Sequence, residues 1–166
     1  MNASPTDRTN GAALSGQFDI DATDVDYQAT GASGARQLTV TGFETLRGGS
    51  EADTVNVLQS VTVNLETLAG DDVVTVSNNV SWNATTLDLG DDNDTLTLGA
   101  SSNVAVTNVV LGSGDDALTL NDAATITGAV QGGTGSDSLS FGTYTTPRSV
   151  ALTNAGADGY DGTEAA

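Results

Sequence analysis

The sequence predicts an all-β fold, a parallel β-helix with about 20–22 residues per coil. Three observations predict it. Five segments align on one aspartate at near-constant spacing. The positions after that aspartate alternate between apolar and polar residues. No segment sustains helical spacing.

Composition sets the frame. The 166 residues suit one domain with a real core. Apolar residues make up 37% but aromatics only 4%, so that core is built from Val, Leu, Ile and Ala. Twenty Gly and two Pro suit a fold with many tight turns.

Taken in order, residues 1–16 (MNASPTDRTNGAALSG) are polar and read as a flexible lead-in. They show no basic start followed by an apolar stretch, so no secretion signal is read there. A Met ahead of such a run suggests a segment cut from a longer protein. The helix body is predicted over 17–152. Phe18, Ile20, Val25, Tyr27 and Ala29 alternate with polar residues, and Leu38, Val40, Phe43 and Leu46 lead into the first anchored turn.

The repeat then takes over: GGSEADTVNV (48–57), AGDDVVTV (69–76), GDDNDTLTL (90–98), GSGDDALTL (112–120) and GGTGSDSLSF (132–141). Its anchors are Asp53, Asp72, Asp94, Asp116 and Asp137, spaced by 19, 22, 22 and 21 residues. Two positions on stand Val55, Val74, Leu96, Leu118 and Leu139, and four positions on stand Val57, Val76, Leu98, Leu120 and Phe141. Polar Asn56, Thr75, Thr97, Thr119 and Ser140 lie between them. That period of two is a strand with one buried face. Seven positions before the anchor, Leu46, Leu65, Leu87, Val109 and Val130 form another column. A third set falls mid-repeat at Val61/Val63, Val80/Trp82, Val104/Val106 and Ile126, with Trp82 expected in the core. Each unit thus holds about three short strands. A sandwich would not demand the same residue types in the same columns, whereas stacked coils set each inward side chain about 4.8 Å above its counterpart.

After Phe141, Val150 and Leu152 start a further strand, and 153–166 are read as a tail or the start of a next repeat unit. VDYQATGASG (25–34) is similar to VALTNAGADG (150–159), which suggests a tandem array of larger units.

Charge and residue type exclude several functions. Twenty-two acids against four bases, all Arg, give a net charge of −18. Such a surface repels phosphate backbones and anionic membranes, so no nucleic-acid partner and no membrane insertion are expected. It attracts cations. Eighteen of the acids are Asp, a turn former and calcium ligand, rather than Glu. Without Cys there is no disulfide or thiolate site, and without His the usual general base and transition-metal ligand are missing. No apolar run approaches the ~20 residues needed to cross a membrane.

GGTGSDSLS (132–140) matches the G-G-x-G-x-D-x-U-x nonapeptide, and the chain therefore resembles RTX-type calcium-binding repeats and haemagglutinin-like bacterial surface adhesins. The likeness covers about residues 42–141. Glu51 and Asp92 replace the fourth-position glycine, Leu111 replaces the first, and the turn before Asp72 is shorter. The signature recurs once per coil rather than every nine residues, so one edge carries it. The resemblance, with the usual chirality, implies a right-handed helix. It also implies calcium held by the motif aspartate and neighbouring turn carbonyls. That role is carried to Asp137 and Asp116 first, then to Asp94, Asp72 and Asp53, with Asp115 and Asp92 adding charge beside them. Stacked carboxylates repel by about 1 kcal/mol per pair in water, which a cation would relieve.

The expected function is a structural or adhesive β-helical module of a secreted or cell-surface protein, stabilised by calcium and not an enzyme. Its expected partners are Ca²⁺ and neighbouring repeat units stacked end to end. Two alternatives are a fragment of a polysaccharide-degrading β-helix enzyme and an ice-binding solenoid. Repeated columns argue against the enzyme, because a catalytic site breaks the repeat at one place.

Overall fold

The computed structural model describes residues 43–145 and 147 in full and, outside them, the backbone of the strands that flank this body. Three strands come first: β1 (Gly16–Ile20), β2 (Val25–Ala29) and β3 (Gln37–Val40). After β4 (Thr45–Arg47) the chain makes about four turns of a solenoid. The first turn holds β5 (Thr54–Val57), β6 (Val61–Thr62) and β7 (Asn64–Glu66). The second holds β8 (Val73–Val76), β9 (Ser81–Asn83) and β10 (Thr86–Asp88). In the third, β11 (Thr95–Leu98) is followed by β12 (Asn103–Ser113), which runs through the corner between two faces. The fourth repeats this with β13 (Ala117–Leu120) and β14 (Thr125–Thr134), and β15 (Ser138–Ser140) opens the next. An antiparallel pair follows, β16 (Ser149–Gly156) with β17 (Gly159–Ala165).

Every strand pair within the coils is parallel, and the register places like residues on like. On one face Val55, Val74, Leu96, Leu118 and Leu139 are successive partners, and beside them run Val57, Val76, Leu98 and Leu120. A second face stacks Val61, Trp82, Val104 and Ile126. A third stacks Leu46, Leu65, Leu87, Val109 and Val130. The columns read from the sequence are therefore the rungs of a parallel β-solenoid.

The alternation sends each of these side chains into one continuous core. Val55, Val57, Leu65, Val74, Val76, Trp82, Leu87, Leu96, Leu98, Val104 and Val109 have no solvent exposure. Full burial of one such Val or Leu contributes about 1.5–3 kcal/mol, so the interior columns supply the main drive for folding. Trp82, the one tryptophan, fills the interior as expected, and its Nε1–H donates to the Val63 carbonyl at 2.8 Å. The columns thin at the far end. Leu139, on the last rung, is 50% exposed, because β15 ends its sheet.

At the other end, β1 adds to the same sheet in parallel with β5, matching Phe18 to Val55 and Ile20 to Val57. β2 and β3 then continue the sheet antiparallel. This sheet also carries the five anchor aspartates immediately upstream of its strands.

Candidate functional site: a file of aspartates inside the coils

Each anchor sits at the corner where the chain turns into the first strand of a coil. The corner is tight. In the turns before Asp72, Asp94, Asp116 and Asp137 the fourth and second residues upstream have positive φ: Leu68 and Gly70, Gly90 and Asp92, Gly112 and Gly114, Gly133 and Gly135. Glycine suits this conformation, and at Gly112 a Cβ would lie 1.7 Å from the Gly90 carbonyl oxygen. Asp92, which departs from the glycine signature, still adopts φ 77°, as aspartate tolerates better than most residues.

The corner turns the anchor side chains inward. Asp53, Asp72, Asp94 and Asp116 are each only 1% exposed. Their carboxylates run as a ladder from coil to coil. The N–H of Asp53 donates to Asp72 Oδ1 (2.6 Å), that of Asp72 to Asp94 Oδ1 (2.8 Å), that of Asp94 to Asp116 Oδ1 (2.7 Å), and that of Asp116 to Asp137 Oδ1 (3.1 Å). The side chains of Asp72, Asp94, Asp116 and Asp137 thus grip the coil before their own, while Asp53 Oδ2 accepts from the Gly49 N–H at 2.9 Å. Asp137 closes the file and is exposed, although its turn alone matches the nonapeptide in full.

The residue just before Asp72, Asp94 and Asp116 does the reverse. Asp71 Oδ1 accepts from the N–H of Asn93, Asn93 Oδ1 from that of Asp115, and Asp115 Oδ1 from that of Ser136, at 2.8–2.9 Å. These side chains are exposed and grip the coil after their own. Asp92, also exposed, runs the other way: its Oδ2 accepts from the Gly70 N–H of the preceding coil at 3.2 Å. The acidic pairs are therefore two hydrogen-bonded rows of opposite direction, one inside and one outside. Sequence reasoning missed the outer row. Its signal was the recurrence of Asp71, Asn93, Asp115 and Ser136 in one column. Asparagine clamps at the other corners were missed too: Asn64 Oδ1 accepts from Thr85 and Thr86, and Asn78 Oδ1 from Ala100.

The inner row has an electrostatic peculiarity. Oδ2 of Asp72, Asp94 and Asp116 is buried and has no hydrogen-bond partner. Burial pushes Asp72 up to about 6 and Asp94 up to about 8, partly offset by the N–H each accepts and reinforced by neighbouring aspartates. Asp116 is raised for the same first reason.

The residues lining the row decide whether it suits the calcium that the resemblance implies. At Gly48 and Gly132, five positions upstream of Asp53 and Asp137, a Cβ would come within 2.3 Å of the anchor Oδ2. At the middle rungs that column instead carries Thr67, Leu89 and Leu111, all buried. The signature glycine is thus replaced by bulk beside the free oxygen. Calcium takes six to eight oxygens, whereas each middle rung offers one carboxylate oxygen that no N–H already claims. Among the described residues no group of three or more His, Cys, Asp or Glu side chains is placed to hold a metal. Asp72, Asp94 and Asp116 as arranged do not fit a calcium ion, and Asp92 and Asp115 point their bonded oxygens at neighbouring coils.

Outside the file, an open groove lies over Gly90, Gly112 and Gly133 and is walled by Glu66, Asp88 and Asp91. Burial and these two acids raise Asp88. Arg47 pairs with Glu66 at its edge.

Fold and file together define a class, the parallel β-solenoid with an internal aspartate ladder. Compared with known proteins, the chain matches no family model, no curated protein and no solved structure.

Proposed function

We propose that this chain is a structural, adhesive-type spacer module of a secreted or cell-surface protein, working by shape rather than by catalysis. One observation carries the reading. Successive coils repeat the same inward residues and the same polar clamps, so the construction is spent on stacking. A rigid rod with an acidic, hydrated surface suits a role that holds other modules apart. Neighbouring repeat units are its proposed partners.

Incubating the chain with acidic and neutral polysaccharides tests the class of function. The spacer reading expects no new chain ends. Depolymerisation abolished by substituting Asp88 or Asp91 would overturn it in favour of an enzyme. Light scattering of the whole chain tests the partner: concentration-dependent growth supports end-to-end stacking, and a monomer at high concentration contradicts it.

A further inference from the structure

We propose that Asp72, Asp94 and Asp116 are metal-independent clamps held as neutral carboxylic acids, each bonding the preceding coil through Oδ1 and carrying a proton at Oδ2. This inference does not depend on the spacer reading. It grows from the mismatch between the file and the ion that the nonapeptide resemblance implies.

Three geometric facts carry it. First, each Oδ1 already accepts a short bond from a main-chain N–H one coil away. Second, the other oxygen of each carboxyl is sealed from solvent without a partner. Third, the space that glycine opens beside Asp53 and Asp137 is occupied at these rungs by Thr67, Leu89 and Leu111. A bare carboxylate there loses its hydration and recovers only the main-chain N–H at Oδ1 and, at Asp72, the Thr67 hydroxyl, which do not offset the burial, so the group neutralises.

The charged neighbours agree. The groups facing the file are Asp53, Asp71, Asp115 and Asp137, all acidic. The sequence has no Lys or His, and Arg47, the one arginine whose side chain is described, is engaged with Glu66. No cation of the described chain reaches the row, and every neighbouring carboxylate opposes a second negative charge. A proton removes that conflict in the available space.

The same chemistry explains why aspartate stands here and makes asparagine its informative replacement. Asparagine keeps the Oδ1 acceptor and the shape but carries no charge. It would ruin a calcium site and preserve a neutral clamp.

The test uses the whole chain, wild type and the triple variant Asp72→Asn, Asp94→Asn, Asp116→Asn. Melting is followed near neutral pH in calcium chloride and in chelator. Infrared spectra at about pH 5.5, below the value of about 6 to which burial pushes Asp72, read the carboxylic C=O stretch, which is distinct from that of a carboxylate. The proposal expects the same melting temperature with calcium and with chelator, and a carboxylic band in the wild type that the triple variant lacks. A calcium-dependent rise in melting present in the wild type and lost in the triple variant would overturn it. So would a wild-type spectrum with no carboxylic band, a reading that stands even if the triple variant fails to fold.

Discussion

The main-chain N–H of Asp72 donates to Oδ1 of Asp94, 22 residues on, across 2.8 Å. Two residues with the same role in consecutive coils are thereby tied by a side chain as well as by the flanking strands. The tie recurs through the stack, from Asp53 to Asp137. Strand pairing alone leaves the corner amides unpaired, and the anchors satisfy them in a region closed to water.

Removing one clamp should therefore cost more than its own bond. Asp94→Ala leaves the Asp72 N–H buried without a partner, a penalty of about 1–3 kcal/mol. Urea unfolding of the variant should show a lower midpoint at unchanged slope. Asp94→Asn should lose much less. Equal losses in the two variants would show that the Oδ1 acceptor does nothing.

Stability should fall as pH rises. Asp72 and Asp94 titrate at about 6 and about 8 in the folded chain, against an ordinary 3.8. Below about pH 4 both states hold these protons and the fold loses nothing. Between there and pH 8 the unfolded chain sheds protons that the folded chain retains, so stability drops, and the loss is complete above the folded values. Unfolding midpoints at several pH values check this, and Asp94→Asn should flatten the upper part of the slope. A wild-type midpoint that climbs from acid to pH 8 would contradict the assignment.

The corner glycines allow a sharper steric test. At Gly112, φ is +120° and a Cβ would meet the Gly90 carbonyl oxygen at 1.7 Å. Gly112→Ala should cost several kcal/mol, at the upper end of single substitutions (roughly 4 kcal/mol). Circular dichroism melting gives the comparison, with Ala117→Gly on an adjoining strand as a milder control. A mild loss at Gly112 would mean that the coils are spaced more widely than described.

Trp82 reports on the core. It is fully buried between the Val61 and Val104 rungs and hydrogen-bonded to Val63. Trp82→Ala should cost about 3–5 kcal/mol. The native emission should be blue-shifted and shielded from acrylamide, and free quenching in the folded state would place the ring outside.

The sequence disclosed the fold to an unusual depth because a solenoid writes its register into its period. Val55, Val74, Leu96 and Leu118 share a column in the sequence and share a rung in space. What it hid was direction. Asp71 and Asp72 look alike in a string, yet one is exposed and grips the next coil while the other is buried and grips the previous one. Nothing in residue type separates them; the alternation does, because Asp72 shares the inward parity of Val74 and Val76 while Asp71 shares that of exposed Val73. The glycine signature misled for a related reason. Leu89 and Leu111 stand where it requires glycine, and their bulk changes what lies beside the carboxyl without changing the turn.

Native-state hydrogen exchange at the anchor amides tests the ladder most directly, by comparing wild type with Asp94→Ala. The Asp72 amide should be among the slow exchangers of the wild type and lose protection in the variant, while the Asp94 amide, which donates to Asp116, keeps most of its own. A fast Asp72 amide in the wild type, or one that the Asp94 substitution leaves unchanged, would contradict the ladder.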